Sequence, residues 1–364
     1  VAQSSWQWLN EDRGDNFMNI RKIAMMAVAA IASPVMGAFA GTIPGTFNQA
    51  GNILIADQFN NRVIEIDKKG EIVWSWGLGP HDFSANSALG VNDAERVGND
   101  TLMAATGIPA KVDPFCKKGC ADNRVMLVDP EGNIVWQYGQ FGVSGSGANE
   151  LNAPVQATWT PNNTVYITDQ SNQRIIEVDM KNNILWQYGM TGVSGSGFNQ
   201  LNSPNSAEQL DNGNVLIADE GNNRVIEVDK ANNNVVATFT AKGTLNAPAF
   251  ASLLPNGQVL ITDGGNNRVI TVNASDVVKF QYITNAQAGS NPNPAPSQAV
   301  KTMSDDYVIS DQFNNRVIVI KGQKILTQYG MLNETGYGTT SAQQGLFAPY
   351  AAKVIGDYTG LTFP

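Results

Sequence analysis

The stretch Asp-Gln-Phe-Asn-Asn-Arg-Val-Ile is written twice in this chain, at Asp57 to Ile64 and again at Asp311 to Ile318. Four looser versions lie between: "DNRVMLVD" from Asp122, "DQSNQRIIEVD" from Asp169, "DEGNNRVIEVD" from Asp219 and "DGGNNRVITVN" from Asp263. Each carries one arginine, Arg62, Arg124, Arg174, Arg224, Arg268 and Arg316, at steps of 62, 50, 50, 44 and 48 residues. Self-similarity at such a period means a solenoid or a propeller, because one unit cannot bury its apolar faces alone.

The flanks choose between the two. In "LNSPNSAEQLDNGNVLIADEGNNRVIEVDKANNNVVATF" (Leu201 to Phe239), strand-like runs at Asn205 to Leu210, "NVLIAD", "RVIEV" and "NVVATF" are separated by turn residues. Asn and Gly tolerate the left-handed backbone such turns need, so each unit predicts four short antiparallel strands joined by hairpins. The second strand is apolar on both faces, as in a sheet covered on both sides. Blades stacked around a ring are covered in that way. The expected fold is therefore all-β: a six-bladed β-propeller of four-stranded antiparallel blades. The C-terminal "LFAPYAAKVIGDYTGLTFP" reads as the opening strand of a blade, which "TFNQAGNILIAD" near the start lacks. The ring is thus predicted to close by strand exchange between the two ends of the chain.

The first forty residues break the pattern. Met18-Asn19-Ile20-Arg21-Lys22 is a basic start, "IAMMAVAAI" an apolar run, and Ala38-Phe39-Ala40 an A-x-A site before Gly41. This order predicts an upstream extension at 1–17, a signal peptide (or a retained apolar helix) at 18–40, and the propeller at 41–364. An exported location follows, periplasmic, extracellular or at the cell surface, with membrane contact only if residues 23–41 are retained. In that setting Cys116 and Cys120, the two cysteines of the chain, predict a small disulfide pinning a loop. The net charge of −9 argues against a nucleic-acid partner, which needs a basic footprint.

The motifs "GVSGSGANELNAP" (Gly142 to Pro154) and "GVSGSGFNQLNSP" (Gly192 to Pro204), with "NVLIADEGNNRVIEVD", resemble the NHL repeat. The resemblance implies the same six blades but no single function, since this fold hosts enzymes, receptors and scaffolds. It places functional residues where inner strands enter the central channel. These strands share a P-x-x-A frame: "VNDA", "PVQA", "PNSA", "PAFA", "PSQA" and "PYAA". Its variable positions and the residues just beyond supply the candidate ligand-binding set: Asn92, Asp93, Glu95, Gln156, Asn205, Glu208, Phe250, Gln298, Tyr350 and Lys353. Recurring fourth-strand aromatics, Trp74, Trp136, Trp186, Phe239 and Phe280, read as packing, and the repeated Asp and Arg as turn cap and inter-blade brace.

Propeller enzymes that the repeats resemble, the arylsulfotransferases, amidating lyases and streptogramin lyases, work through histidine. This chain has one, His81, in an inter-blade loop. A calcium-dependent lactonase type would instead use oxygen ligands, for which Glu95, Asn92, Asp93, Asn205 and Glu208 are the candidates, unless Lys353 neutralises the carboxylates. The primary expectation is an exported scaffold without a cofactor. It would bind a protein or small ligand at the channel mouth, the "GVSGSG" loops or the insertion Gly107 to Ala121. The alternatives are a calcium-dependent hydrolase and a structural subunit of an extracellular filament or surface complex. Intact-mass analysis of protein from its source is expected to give a chain starting at Gly41 and two hydrogens lighter than its reduced sequence. A mass retaining the segment after Met18 would instead support the anchored or filamentous form.

Overall fold

The computed structural model describes residues 45–338, 342 and 345–357; the predicted signal segment lies outside them. Its 24 strands form six separate four-stranded antiparallel sheets. The fourth blade runs Ser206–Gln209, Val215–Asp219, Arg224–Asp229 and Asn234–Phe239, within a residue or two of the sequence-based strands. Blade 1 takes Ile53–Asp57, Arg62–Ile66 and Ile72–Trp76 from the start of the described chain, and its innermost strand, Pro349–Val354, from the end. Ile53 pairs with Val354 and Ile55 with Ala352.

Second and third strands are buried along almost their whole length because each blade lies between two others. Among the described residues the apolar core accordingly divides into six clusters at the blade junctions and a seventh, smaller one at Leu89, Ile108 and Cys116. Val63, Met103 and Met126 belong to the cluster between blades 1 and 2. Ile64, Val308 and Val317 belong to the one between blades 6 and 1, which completes the ring. Fourth-strand aromatics serve these junctions as expected. Trp74 Nε1 donates to Pro130 O of the next blade at 3.1 Å, and Phe280 stacks on Tyr307 at 4.5 Å between centroids.

The repeated motif has a more specific task than turn capping. After each second strand of blades 1 and 3–6, three residues make a 3-10 turn that ends on a left-handed residue: Asn61, Gln173, Asn223, Asn267 or Asn315. Asn123 adopts the same backbone region in blade 2. None of the five Asp residues preceding these turns caps its turn. Instead, in blade 6, Asp311 Oδ2 accepts from Arg316 Nε at 2.7 Å and Asn314 Nδ2 at 2.8 Å. In blades 1, 3, 4 and 5 the Asp also accepts a backbone N–H of the loop leading into its own blade, as Asp57 Oδ1 does from Phe347 N at 2.8 Å.

The arginine, expected as an inter-blade brace, braces loops more than blade faces: most of its remaining N–H groups turn to that same lead-in loop, while Arg174 reaches Thr191 Oγ1 in the loop entering the next blade. Arg224, for example, donates to Ser196 O and Gln200 O. The brace is the left-handed residue. Its side-chain oxygen accepts the backbone N–H of a residue one to three positions ahead of the next inner strand, six times around the ring: Gly90, Ala153, Ser203, Ala247, Ala295 and Ala348.

Arg316 and Asp311 have fully buried side chains, and removing one partner of such a pair strands the other. Asp311→Ala is expected to lower the unfolding free energy by roughly 3–5 kcal/mol, read as a lower urea midpoint. A loss below about 1 kcal/mol would mean the motif does not hold the blade.

Candidate functional site at the channel mouth

Inner strands converge with one end at the mouth of the channel. The alanines of the P-x-x-A frame, Ala94, Ala157, Ala207, Ala251, Ala299 and Ala352, are all at least 98% buried, each packed into the apolar cluster of a different blade junction. Between them the third frame position reaches to the next blade. Asp93 accepts from Ala157 N at 3.4 Å, Gln156 from Ala207 N at 2.6 Å, Ser206 from Ala251 N at 3.3 Å and Gln298 from Ala352 N at 3.0 Å. Phe250 and Ala351 occupy the two remaining positions and have no side-chain acceptor. Thus Asp93, Gln156 and Gln298, selected as ligand groups because they vary, already hold neighbouring backbone.

Seven of the ten candidates, Asn92, Asp93, Gln156, Asn205, Phe250, Gln298 and Tyr350, line one recess. The other three, Glu95, Glu208 and Lys353, lie further along the same strands. The Tyr350 hydroxyl, on blade 1, donates to Asn205 Oδ1 at 3.0 Å, on the diametrically opposite blade 4. A bond across the axis closes the channel. On the mouth side, Gln312 Nε2 donates to Gln58 Oε1 at 2.8 Å and Gln58 Nε2 to Asn92 Oδ1 at 2.7 Å, linking blades 6, 1 and 2. Asn92 Nδ2 and Gln156 Nε2 are buried without a protein partner, so the recess retains two amide donors.

Below the recess Lys353 Nζ lies 3.0 Å from Asp93 and 3.5 Å from Glu95, while Glu95 Oε1 accepts from Trp159 N at 2.8 Å. Burial pushes the Glu95 carboxyl up to about 7 against the pull of Lys353, and the Asp93 charge adds to the rise. Burial works the other way on Lys353, but Asp93 and Glu95 outweigh it and hold the ammonium protonated. The ammonium thus sits among the carboxylates that were candidates for calcium. Among the described residues no three of His, Cys, Asp and Glu are grouped to hold a metal ion. This donor set does not fit calcium, which takes six to eight oxygens.

The frame missed one residue. Glu220 follows the second strand of blade 4, where the other regular blades carry Gln58, Gln170, Gly264 and Gln312. Its Oε2 accepts from Asn205 Nδ2 at 2.7 Å and Gln170 Nε2 at 3.3 Å. No basic side chain faces it, and burial pushes its pKa up to about 7 against the Asn205 hydrogen bond. The signal was a charge at a position the repeat otherwise fills with an amide or glycine.

His81 is half-exposed, with Nδ1 3.1 Å from Asp113 Oδ2. The Gly107 to Ala121 insertion is a continuation of the blade 2 hairpin and more than a loop: its strands run Asp100–Ile108 and Cys120–Val128, pairing Ile108 with Cys120. The Cys116–Cys120 disulfide is present, with Cα atoms 5.9 Å apart.

Fold and site together define a closed six-bladed β-propeller with a narrow, polar, side-chain-filled channel. Residues 35–237, more than half of the chain, match the family model described as outer membrane protein assembly factor BamB, and the chain belongs to that family. The match is to this β-propeller family and not to the NHL repeat. No curated protein matches the chain. Among solved structures, a Bacteroides caccae protein of unknown function is similar with a TM-score of 0.55 at 15% identity, over 78% of this chain and 97% of that one. A streptogramin B lyase gives 0.52 at 12%, over 78% and 80%. A chain of a nidogen/laminin complex gives 0.51 at 12%, over 76% and 92%. At these identities the likeness is one of fold.

Glu220 sets a pH dependence. Burial pushes its pKa from the ordinary 4.5 up to about 7, so its stabilising share is complete below about pH 4.5 and is lost as pH rises through 7. Full ionisation costs about 3 kcal/mol. Glu220→Gln is expected to match wild type near pH 4.5 and to exceed its stability by up to about 3 kcal/mol near pH 8, measured by urea denaturation. Parallel profiles for the two proteins would show that Glu220 is ionised at no cost.

Proposed function

We propose that this chain is an exported protein-binding scaffold that presents partner surfaces on the face where the channel opens. The observation that carries the reading is the channel itself. Its interior is engaged by bonds between blades, and the recess left at the mouth has room for little more than a water-sized group, where an ordinary ligand pocket encloses a whole small molecule. The family description, an assembly factor, is in keeping with a protein partner, as is the likeness to a propeller seen in a nidogen/laminin complex. Export accords with the disulfide and the family.

The same face carries the ordered "GVSGSG" loops. Asn172 Nδ2 donates to Gly145 O at 2.7 Å and Asn222 Nδ2 to Gly195 O at 2.8 Å, so both loops are tied to the repeated motif. Phe198, just past the second loop, stands 71% exposed. A scaffold gains affinity from such pre-ordered loops because little conformational freedom is lost on binding. The filament alternative rests on residues 23–41, outside the described residues. The hydrolase alternative would need Glu95 to act on substrate, while its two oxygens are engaged by Trp159 N and Lys353.

The test is a photo-crosslinking scan in source cells, with the photoreactive residue placed in turn at Phe115, Phe198, Val236 and Met303. Discrete adducts from Phe115 or Phe198, in loops on the face where the channel opens, and none from the outer edge at Val236 or the opposite face at Met303, are the expected result. Absence of adducts at every position would overturn the scaffold reading. So would turnover of a lactone or ester panel that Glu95→Gln abolishes.

A further inference from the structure

The six repeats differ most in blade 2, where the short turn between second and third strands is replaced by "GIPAKVDPFCKKGCA", Gly107 to Ala121. In repeat proteins such insertions map to one face, often the binding face. This one has a small core of its own: Leu89, Ile108 and Cys116 pack together, with Phe83, Val112, Cys120 and Phe141 against them. The disulfide closes the loop. Asp113 fixes its tip, with Oδ1 accepting from Phe115 N at 2.7 Å and Oδ2 facing His81.

This framework does not hide Phe115; it holds the ring out, 74% exposed. The ring meets His81 edge-on at 5.1 Å, His81 stacks with Tyr337 at 6.4 Å, and Tyr337 meets Phe347 at 5.6 Å. Phe347 in turn packs on the buried Phe59 at 5.2 Å. Rings from the insertion, the loop between blades 1 and 2, and the loop between blades 6 and 1 thus form a continuous line from solvent to core. Tyr337 is 58% exposed, so the outer half of the line is an aromatic patch on a rigid support.

Charge points to what covers it. The insertion carries Lys111, Lys117 and Lys118, all exposed, against one acid, Asp113, which is buried. The chain as a whole is at −9. The acids of the neighbouring loops lie on the other flank: Asp82, whose Oδ1 accepts from Ser84 N and Oγ, belongs to the His81 loop, and the exposed Glu334 to the segment preceding Tyr337, so the positive charge is confined to the insertion that carries Phe115. An exposed aromatic anchor with lysines on its own loop suits a partner that brings acidic residues to that side.

We propose that Phe115, His81 and Tyr337, flanked by Lys111, Lys117 and Lys118, form a docking surface for an acidic segment of a partner protein that carries an apolar residue. The proposal rests on the scaffold reading and gives that scaffold a partner chemistry. The aromatic rings take the apolar side chain, and the lysines steer and hold the carboxylates around it. Partner and ring closure meet here, because the patch spans blade 2 and the loop into the closing strand of blade 1.

The probe is a fluorescein-labelled oligoglutamate peptide with a central Leu-Phe pair, titrated with the full-length protein by anisotropy at low and physiological salt. Saturable binding that weakens with salt is expected. Phe115→Ser, and separately Lys117→Glu with Lys118→Glu, should each weaken it roughly tenfold or more. Met303→Ser, on the opposite face, should leave it unchanged. Because the substituted side chains are exposed, each variant should unfold at the wild-type temperature, which excludes misfolding as the cause.

No saturable binding overturns the proposal, as does equal binding of an oligolysine peptide with the same centre or indifference to Phe115→Ser. Capture of phosphatidylglycerol vesicles without peptide binding also overturns it, in favour of a membrane surface. If the peptide fails while crosslinks at Phe198 persist, this surface falls and the scaffold reading stands.

Discussion

A side-chain amide in a left-handed turn holds this ring together. Packing between blades is apolar and non-directional, so on its own it would let neighbouring sheets slide. The hydrogen bond that each left-handed Asn or Gln accepts from the backbone N–H of the residue leading into the next inner strand fixes register between neighbouring blades. That residue is itself in the left-handed region at all six junctions, with φ between 43° and 55°. Non-glycine residues persist there only when their surroundings over-determine them. The Asp and Arg of the motif do so by anchoring the preceding loop. The motif is therefore repeated because the junction is repeated.

The channel follows from the same geometry. Once inner strands are drawn together, their side chains have more backbone than solvent within reach, and the variable frame positions become acceptors for neighbouring N–H groups. Burial then dominates the electrostatics. Two carboxyls, Glu95 and Glu220, are pushed to about 7, one beside an ammonium and one among amides. A filled axis, with its ionisable groups buried against one another and against amides, leaves the loops on the two faces as the surfaces able to differ between relatives of the same fold.

Blade number and strand limits were readable in the sequence because turn residues and doubly apolar strands recur six times, each copy checking the others. The inner-strand frame led to the recess in the same way, placing seven of ten candidates on its wall. What it could not give was direction. Whether Gln156 points at a ligand or at Ala207 N depends on a neighbouring backbone some fifty residues away. The repeated arginine, read as an inter-blade brace, misled for the same reason: the carbonyl partners of Arg224, Ser196 and Gln200, lie in the connecting loop some 25 residues earlier. Glu220 lay outside the frame searched, although comparison of second-strand ends would have shown its departure from Gln. The exposure of Phe115 is invisible in sequence, where an apolar residue beside a cysteine reads as core.

The pairing of Ile53–Asp57 with Pro349–Val354 also sets a timetable. A chain delivered N-terminus first makes its first three strands early, but their inner partner comes some three hundred residues later. Until then Ile53–Asp57 is an apolar strand with an open edge, the kind that pairs with whatever strand it meets. Contacts this distant also form slowly. In the cell, the hazard for this protein lies in the interval before its last strand arrives, and the compartment in which it folds must guard that one edge for the whole of it.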